Sequence, residues 1–265
     1  MSVAQPDLGA GPQSVDRALQ VLELLASWGA GGVSEVAAAL GVHKSTAFRL
    51  LSALEARELV EQASERGKYR LGFGLVLLAQ RVDVRPGLAE QARPLTERLA
   101  DSLGESINVA VLRENYAVNV VQSHGQASVV SQNWIGQLTP LHATSSGKVL
   151  LAHLAPDERN ALLDRGLDSY TLRTRVDVDV LDAELREVLE NGYATTYGEL
   201  ELGLNAVAVP VRGQDGGVVA ALSVSGPAYR LSQERIEEVL GPVETGAAEL
   251  ARRLGYWGDE QRKVR

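Results

Sequence analysis

The chain of 265 residues contains no cysteine, and its aromatic residues are limited to three Trp, seven Tyr and two Phe. Without cysteine there is no disulfide framework, no thiol nucleophile and no cysteine-ligated zinc or iron–sulfur site. Because aromatic side chains are scarce, leucine, valine and alanine must supply most of the core. The absence of cysteine also agrees with a reducing compartment, and we expect a cytoplasmic protein.

Long apolar stretches are missing as well. No run of about 18 apolar residues is present to span a bilayer, so we expect no membrane partner. Residues 1–13 have neither the basic start nor the apolar segment of a secretory signal, and we expect none. They are rich in Gly, Pro and Gln, and we predict that this N-terminal tail is disordered. At the other end, we assign residues 258–265 to a C-terminal tail.

Positive charge is not in excess either. The formal net charge is -8, with 26 Lys and Arg against 34 Asp and Glu. Residues 14–83 nevertheless carry eight basic and eight acidic side chains, so the acidity belongs to the rest of the chain. A neutral N-terminal segment permits nucleic-acid binding without indicating it. The length accommodates about two domains.

Residues 33–54 (VSEVAAALGVHKSTAFRLLSAL) have the pattern of a helix-turn-helix. Two helices that cross at close range need a small residue inside the first, and Ala37 meets that need. The tight turn between them favours a left-handed backbone, which Gly41 adopts without steric cost. The apolar residues predicted to pack between the two helices are Val36, Leu40, Val42, Ala47, Leu50 and Leu51.

The second helix of this motif leaves a short polar and cationic surface outside the core. In such motifs the N-terminal part of the second helix enters the major groove of DNA. Ser45 and Thr46 can hold phosphate together with free backbone N–H groups at the helix start. Lys44 and Arg49 can reach phosphate or the acceptor edge of guanine. The predicted DNA-binding residues of this helix are His43, Lys44, Ser45, Thr46, Phe48 and Arg49.

A β-hairpin follows the helix pair. Extended runs at 59–62 and 68–71 flank the turn-forming residues 64–67. Arg66, Lys68 and Arg70 lie on this predicted hairpin, placed as a wing against the DNA backbone or minor groove. A helix pair with a solvated cationic face would explain part of the pattern. The ordered combination of apolar core, glycine turn and wing instead predicts a winged helix-turn-helix over residues 14–72.

The remainder of the chain mixes helices and strands without a strict βαβ rhythm. A short helix is predicted at 73–82, and the runs 206–211 and 218–224, joined by QDGG, form the clearest hairpin. The mixture predicts an α+β domain with an antiparallel sheet over residues 86–257. Helical patterns cover 87–103, 146–153, 156–165, 178–191 and 233–254, and extended runs cover 106–112, 118–123, 128–132, 205–212 and 218–225.

Two segments of this domain have features of a ligand site. Residues 144–148 (TSSGK) stand where a loop gives way to an apolar helix, and free N–H groups at a helix start attract carboxylates. Ser223 and Ser225 share one face of a strand, with Ala221 and Val219 beside them. Buried hydroxyl groups need partners, and a ligand is one possible partner. Ordinary helix capping and cross-strand hydrogen bonds would also explain these residues.

Seven short sequences, in order and with natural spacing, resemble the IclR family of bacterial transcription regulators over nearly the whole chain. The chain departs from the family at Glu58, where glycine is typical before the first wing strand, so some strain is expected there. The matching sequences are SVDRAL at 14–19, KSTAFRLL at 44–51, YRLG at 69–72, PLHATSSGKVLLA at 140–152, NGY at 191–193, AVPV at 208–211 and LSVSGP at 222–227.

The resemblance implies a GAF/profilin-like effector-binding domain and a linker helix at 73–85 that pairs two chains. It also implies a dimer or dimer of dimers on palindromic double-stranded DNA. Because the expected lining carries little charge, we expect a small organic or aromatic acid as effector. The residues do not distinguish repression from activation, and we expect a repressor. The predicted effector-binding residues are Ser145, Ser146, Thr196, Ala206, Ser223 and Ser225, with Trp134, Gly136 and Leu141 at the rim.

Two other functions stay open from the sequence. Ser145 and Lys148 match S-x-x-K, a nucleophile motif of some hydrolases, although the accompanying motifs of those enzymes are missing. The second domain could also serve only for assembly, in a ligand-independent DNA-binding protein. The family includes zinc-bearing members, but we expect no metal, no cofactor and no catalytic residue here. No metal-ligand spacing connects the four histidines, which are His43, His124, His142 and His153.

Overall fold

The computed structural model of the chain describes residues 13–63, 67–79, 87–125 and 133–256. These residues fall into two compact units, with the division between residues 84 and 85. Several sequence predictions lie outside the described residues. They are the tail at 1–13 apart from Gln13, the wing residue Arg66, residues 80–85 of the expected linker helix, the strand at 128–132 and the C-terminal tail.

The N-terminal unit, in its described residues, combines helices with a small antiparallel sheet. Its strands lie in the order β1-β3-β2, and apolar side chains from the first three helices meet beneath them. This arrangement confirms the predicted winged helix-turn-helix. The elements are α1 (Gln13–Trp28), β1 (Gly31–Gly32), α2 (Val33–Ala39), α3 (Lys44–Glu55), β2 (Val60–Gln62), β3 (Lys68–Leu71) and α4 (Gly74–Ala79).

The turn before β2 contains the strain expected at Glu58. This residue has a φ of +58°, in the left-handed region that glycine adopts more readily. The turn is also crowded, because a Cβ atom added at Gly72 would lie 2.2 Å from the carbonyl oxygen of Glu58. The same oxygen accepts a 2.9 Å hydrogen bond from the Gly74 N–H. Glu58 therefore adopts a costly conformation at a point where the neighbouring backbone is tightly constrained.

The C-terminal unit is built on a six-stranded sheet with the order β6-β5-β4-β9-β8-β7. All neighbouring strands pair antiparallel. The predicted hairpin at 206–224 is the β8–β9 pair, and the sheet confirms the predicted α+β fold. The strands are β4 (Ser106–Arg113), β5 (Tyr116–Ser123), β6 (Leu138–Pro140), β7 (Ala194–Tyr197), β8 (Leu204–Arg212) and β9 (Val218–Pro227).

Helices cover both faces of this sheet. The sheet therefore separates two clusters of buried apolar side chains. The two longest helices, α5 and α9, pack on one face against alternate residues of β4, β8 and β9. The other face is covered by α6 and α8, with α7 at its margin. The second face is the one that carries the candidate ligand site. The helices are α5 (Leu88–Leu103), α6 (Ser145–Ala152), α7 (Pro156–Leu163), α8 (Val178–Asn191) and α9 (Gln233–Arg253).

A β-bulge in the β8–β9 pair changes the face of one residue. The register passes from Val211 opposite Ala220 to Arg212 opposite Val218, so Val219 has no partner in β8. Val219 packs in the core on the α5–α9 face, whereas Ala221 packs on the opposite face. The expectation that Val219 shares a face with Ser223 and Ser225 was wrong, because strict alternation does not continue through a bulge.

Candidate functional site

The turn between α2 and α3 has the geometry that the sequence predicted. Gly41 has a φ of +62°, and its N–H donates to the carbonyl oxygen of Ala38 at 3.3 Å. The Val42 N–H donates to the carbonyl oxygen of Ala37 at 3.0 Å. Because Ala37 is buried, the two helices cross closely, and this crossing decides which side of α3 faces outward.

The outward side of α3 is polar and cationic from its first turn. The first turn contains no acidic residue, and among the described residues no side chain caps the helix start at His43. The free N–H groups and the neighbouring cations at this helix start form a surface suited to an anionic partner. Of the predicted residues, His43, Lys44, Ser45, Phe48 and Arg49 are exposed, and Thr46 is half-buried.

The described part of the wing offers less free charge than the sequence indicated. The guanidinium group of Arg70 contacts the Glu61 carboxylate on the neighbouring strand at 2.6 Å. A phosphate would have to compete with this carboxylate, although both side chains are about half exposed and the pair is weak. Lys68 is half-buried. The wing surface is therefore less clearly cationic than the surface of α3.

A cavity in the C-terminal unit lies between the start of α6 and the sheet face that α6 and α8 cover. Its empty volume, including the open mouth, is about 520 Å³. Among the described lining residues no side chain is charged, so its polarity comes from hydroxyl, amide and backbone groups. The lining residues are Asn108, Asn119, Trp134, Thr139, Ala143, Thr144, Ser145, Ser146, Thr196, Leu200, Leu204, Ala206, Ser223 and Ser225.

The helical side of the cavity is the first turn of α6. Thr144 caps the helix, because its Oγ1 accepts a hydrogen bond of 3.1 Å from the Gly147 N–H and donates one of 2.9 Å to the carbonyl oxygen of Pro140. A Cβ atom added at Gly147 would lie 2.4 Å from the carbonyl oxygen of Leu141. The missing side chain thus allows α6 to lie directly against the preceding loop. At a helix start the first N–H groups, here those of Ser145 and Ser146, have no acceptor within the helix, and both residues line the cavity.

The sheet side of the cavity follows the strand register. Thr196, Ala206 and Ser225 lie in one row across β7, β8 and β9. In the next row Asn108 of β4 pairs with Ser223 of β9. Residues of neighbouring rows two positions apart point to the same face. The structure therefore brings the predicted strand residues together with Ser145, Ser146 and Trp134 around one cavity.

Two predicted rim residues do not line this cavity. Gly136 is exposed, and its N–H donates to the carbonyl oxygen of Asn119 at 2.9 Å. Leu141 is 5% exposed and packs in the core beside α6. Gly136 lies in the connection before β6 and Leu141 in the connection after it, where the sequence has no regular alternation that gives a side-chain direction. They are not part of the site that the structure assembles.

Several lining residues were not predicted. Asn108 interrupts the apolar sequence of β4, SINVAVLR. A polar residue in such a strand is a signal that could have identified Asn108 as a lining residue. Asn119 and Thr139 lie on β5 and β6. Leu200 belongs to the segment that joins β7 to β8, where the sequence has no regular pattern, and Leu204 is the first residue of β8. Knowledge of the strand order is needed to place these residues together.

Lys148 lies beside the cavity but is not available for chemistry in it. Its side chain is completely buried, and its Nζ donates to Glu184 at 2.6 Å and to Glu199 at 2.7 Å. Burial raises the pKa of Glu199, and the charge of Lys148 opposes that rise. An ammonium group held by two carboxylates is a poor base for Ser145. The lysine of the S-x-x-K match therefore forms a structural ion pair and does not serve a hydrolase centre.

Two kinds of feature are absent from the residues that the structure describes. No group of three or more His, Asp or Glu side chains in these residues is arranged to hold a metal ion. Within the same part of the chain, no helix combines the length and apolar character needed to cross a membrane.

Comparison with known families places both units in one group. Residues 14–64 match the IclR helix-turn-helix domain, and residues 80–252 match the C-terminal domain of the bacterial transcriptional regulator IclR. Among curated relatives, the HTH-type transcriptional repressor AllR of Escherichia coli K12 is 34% identical over 254 residues, covering 95% of this chain and 94% of the relative. AllR of Salmonella paratyphi A is 33% identical, with coverage of 95% and 93%.

Solved structures show the same architecture. IclR of Thermotoga maritima superposes with a TM-score of 0.80 at 27% identity, covering 93% of this chain and all of the other. An IclR homologue from Microbacterium hydrocarbonoxydans, complexed with 4-hydroxybenzoate, superposes with a TM-score of 0.77 at 27% identity. The second comparison covers 91% of this chain and 99% of the other.

Proposed function

Because the chain belongs to the IclR family of bacterial transcription regulators, we propose that it is a repressor whose affinity for its operator depends on a small acid bound in the cavity. Family membership makes it a DNA-binding regulator with a C-terminal ligand-binding domain rather than an enzyme. The repressor output, the acid and the residues that contact each partner are the parts that we propose. The curated relatives named as repressors support the output.

The observation that carries the proposed ligand class is the first turn of α6. The N–H groups of Ser145 and Ser146 lack acceptors within the helix and lie at the cavity. The positive end of a helix favours an anionic group, and exclusion of water strengthens that attraction. No described lining residue is charged, so no carboxylate in the lining repels a bound acid. A carboxylate held by backbone N–H groups fits this arrangement.

The body of the proposed ligand would meet an uncharged lining of mixed polarity. Trp134, Leu200 and Leu204 supply apolar contacts, and the hydroxyl groups of Ser223 and Ser225 supply hydrogen bonds on the sheet side. A related regulator was solved in complex with 4-hydroxybenzoate, and this supports a small aromatic acid as one member of the ligand class. We therefore include both aromatic and aliphatic monocarboxylates in the ligand class.

On the DNA side, we propose that α3 enters the major groove. The exposed side chains of His43, Lys44, Ser45, Phe48 and Arg49 and the half-buried Thr46 would face the duplex, with the wing strand carrying Lys68 and Arg70 beside it. A single small winged domain has limited affinity, and two linked domains multiply it on a palindromic site. We propose a dimer or dimer of dimers. Exposed apolar side chains around α4, namely Phe73, Val76, Leu77 and Leu78, are consistent with such an association.

The ligand would act by binding more tightly to one arrangement of the DNA-binding domains than to another. A ligand shifts such an equilibrium only by its difference in affinity for the two states. A tenfold change in operator affinity needs a difference of about 1.4 kcal/mol. This coupling is small beside the energy of a typical protein–ligand complex.

The test is a fluorescence-anisotropy titration of the full chain against duplexes from the DNA that flanks its own coding region. Each titration is repeated with a panel of monocarboxylic acids and, as matched controls, the corresponding uncharged amides. We expect salt-sensitive, sequence-selective binding that an acid weakens and its amide does not. Selective binding that no acid changes would contradict the ligand class, and equal binding to a scrambled duplex would contradict sequence-specific control. Light scattering of the free and bound protein tests the dimer.

A further inference from the structure

A buried acceptor in the cavity has no hydrogen-bond partner in the part of the chain that the structure describes. Asn108 is 4% exposed, and its Nδ2 donates to the Oγ of Ser225 at 3.1 Å. Its Oδ1 has no donor within reach among the described residues. A buried amide oxygen that loses its water without gaining a donor is energetically costly. Because Asn108 is also a lining residue of the cavity, a bound molecule is able to supply this donor.

The position of Asn108 on β4 makes its polarity informative. Its chain neighbours Ile107 and Val109 are fully buried on the opposite face. On its own face it lies beside Ser223 of β9 and Gln122 of β5. The Oε1 of Gln122 accepts a 3.0 Å hydrogen bond from the Trp134 N–H. Strand pairing uses backbone groups, so the register of β4 does not itself require the amide oxygen of Asn108.

We propose that the ligand carries a hydrogen-bond donor, an O–H or N–H group, which Asn108 Oδ1 accepts at the sheet side of the cavity. This inference rests on the proposed function, because it takes the cavity as the effector site. The donor is additional to the anionic group held at the start of α6. Asn108 is then a specificity-determining residue, and the ligand class narrows from small acids to small acids with a separate donor.

The placement of the two partners constrains the ligand further. The N–H groups of Ser145 and Ser146 belong to the helix, whereas Asn108 belongs to the sheet strand across the cavity. A single molecule that satisfies both must carry its acid and its donor at separate ends. ω-Hydroxy acids and para-hydroxylated aromatic acids carry the two groups at opposite ends and are therefore the probes of choice.

The test compares matched acids by calorimetric titration of the full chain. One set is 4-hydroxybenzoate, benzoate and 4-methoxybenzoate, and the other is 4-hydroxybutyrate, butyrate and 4-methoxybutyrate. The ether keeps an oxygen but cannot donate, so it separates donation from polarity. We expect the hydroxyl member of at least one set to bind about tenfold tighter than both of its analogues, a difference of about 1.4 kcal/mol.

Two variants test whether the preference for the hydroxyl ligand over its ether analogue depends on Asn108. Asn108→Ala should reduce the ratio of hydroxyl to ether affinity to near one. Asn205→Ala is the matched control, because Asn205 is also buried, its Oδ1 also has no described partner and its Nδ2 donates to the carbonyl oxygen of Leu231 at 2.9 Å. Asn205 does not line the cavity, so its variant should keep the ratio. A ratio measured within one variant is not altered by a general loss of stability.

The outcomes are distinguishable. Equal binding of the hydroxyl and ether members to the unaltered chain would overturn the role of Asn108 and leave the proposed acid site intact, with water as the partner of Oδ1. Binding of none of the six acids would overturn this inference together with the acid class of the proposed function. Loss of the preference in Asn205→Ala as well as in Asn108→Ala would overturn the assignment to the cavity residue.

Discussion

The ammonium group of Lys148 lies 2.7 Å from the carboxylate of Glu199, and the lysine side chain is completely shielded from solvent. Glu199 is itself 5% exposed, so each charge depends on the other for stabilisation. Lys148 belongs to α6, and Glu199 belongs to the connection that follows β7. The pair therefore links α6, whose first turn lines the cavity, to the connection that contains Leu200.

Lys148→Met should destabilise the C-terminal unit. The substitution keeps the length of the side chain but leaves Glu199 buried without its counter-charge, which typically costs about 3–5 kcal/mol. Arg186→Met is the control, because Arg186 pairs with Asp182 on the surface and such pairs contribute about 1 kcal/mol or less. Urea unfolding followed by circular dichroism measures both. Similar small losses in the two variants would show that Lys148 does not stabilise Glu199.

Glu58→Gly should stabilise the N-terminal unit by about 1 kcal/mol, since it removes the side chain from a left-handed residue. The gain is limited because glycine also increases the freedom of the unfolded chain. Glu58→Ala keeps the strain and removes the carboxylate, so it should change stability little. The measurement is the free energy of unfolding of both variants. An equal gain in Glu58→Ala would attribute the effect to charge instead of backbone conformation.

Arg49→Ala should weaken operator binding by about 1–3 kcal/mol while the affinity for an acid ligand stays unchanged. The reason is that Arg49 is exposed on α3, in the unit that does not contain the cavity. Anisotropy with operator and calorimetry with ligand provide the two readouts. Arg186→Ala, in the C-terminal unit, should preserve operator binding. Parallel loss of both activities in Arg49→Ala would contradict a division of the two functions between the units.

Ser223→Val should reduce the affinity for 4-hydroxybenzoate about tenfold. Valine fills a similar space but lacks the hydroxyl group with which Ser223 lines the cavity. Ser223 is 3% exposed. Ser102→Val changes an exposed serine of α5 and should leave the affinity unaltered. Calorimetric titration measures the two dissociation constants. An unchanged constant in Ser223→Val would remove this residue from the binding site.

The stability of the C-terminal unit should fall as the pH is lowered below about 6.5, the ordinary pKa of histidine. Burial lowers the pKa of His142, although its Nε2 donates to the carbonyl oxygen of Asp168 at 2.9 Å, which partly opposes that effect. Burial also lowers the pKa of His153. The unfolded chain therefore binds protons at a pH where the folded chain does not. The contribution is complete above the unfolded pKa and is lost as the pH falls toward the folded pKa.

His142→Gln and His153→Gln should each reduce this pH dependence, which amounts to at most about 1.4 kcal/mol per pH unit for one histidine. Glutamine can still donate to the Asp168 carbonyl oxygen but does not titrate. Unfolding free energies between pH 5.5 and 7.5 give the slopes, and the double variant should have the smallest one. An unaltered slope in all three would assign the acid sensitivity to other groups.

The sequence predicted those parts of the protein in which a regular pattern specifies the direction of the side chains. The alternation in β9 placed Ser223 and Ser225 on one face, and the pattern around Gly41 predicted α2, α3 and their turn. Ser145 and Ser146 were identified because a helix start is recognisable from small and hydroxyl-bearing residues before an apolar run. Local rules of helix and strand geometry were sufficient for these features.

The remainder depended on contacts between distant segments. The partners of Lys148 lie 36 and 51 residues further along the chain, and no local pattern connects them. The strands β6 and β7 have three and four residues, too few for a clear alternation. Gly136 and Leu141 lie in irregular connections, so their directions could not be inferred. That Asn108 Oδ1 has no donor among the described residues could not be inferred without the register of β4 with β9.

The pairing of β4 with β9 joins segments at opposite ends of the C-terminal unit, and Asn108 and Ser225 are 117 residues apart in the chain. The cavity uses residues from both strands, so it does not exist until the last strand of the sheet has been added. During synthesis from the N-terminus, α3 is complete well before that point. In a newly made chain, the helix-turn-helix can therefore form before the cavity in which we propose that the effector binds.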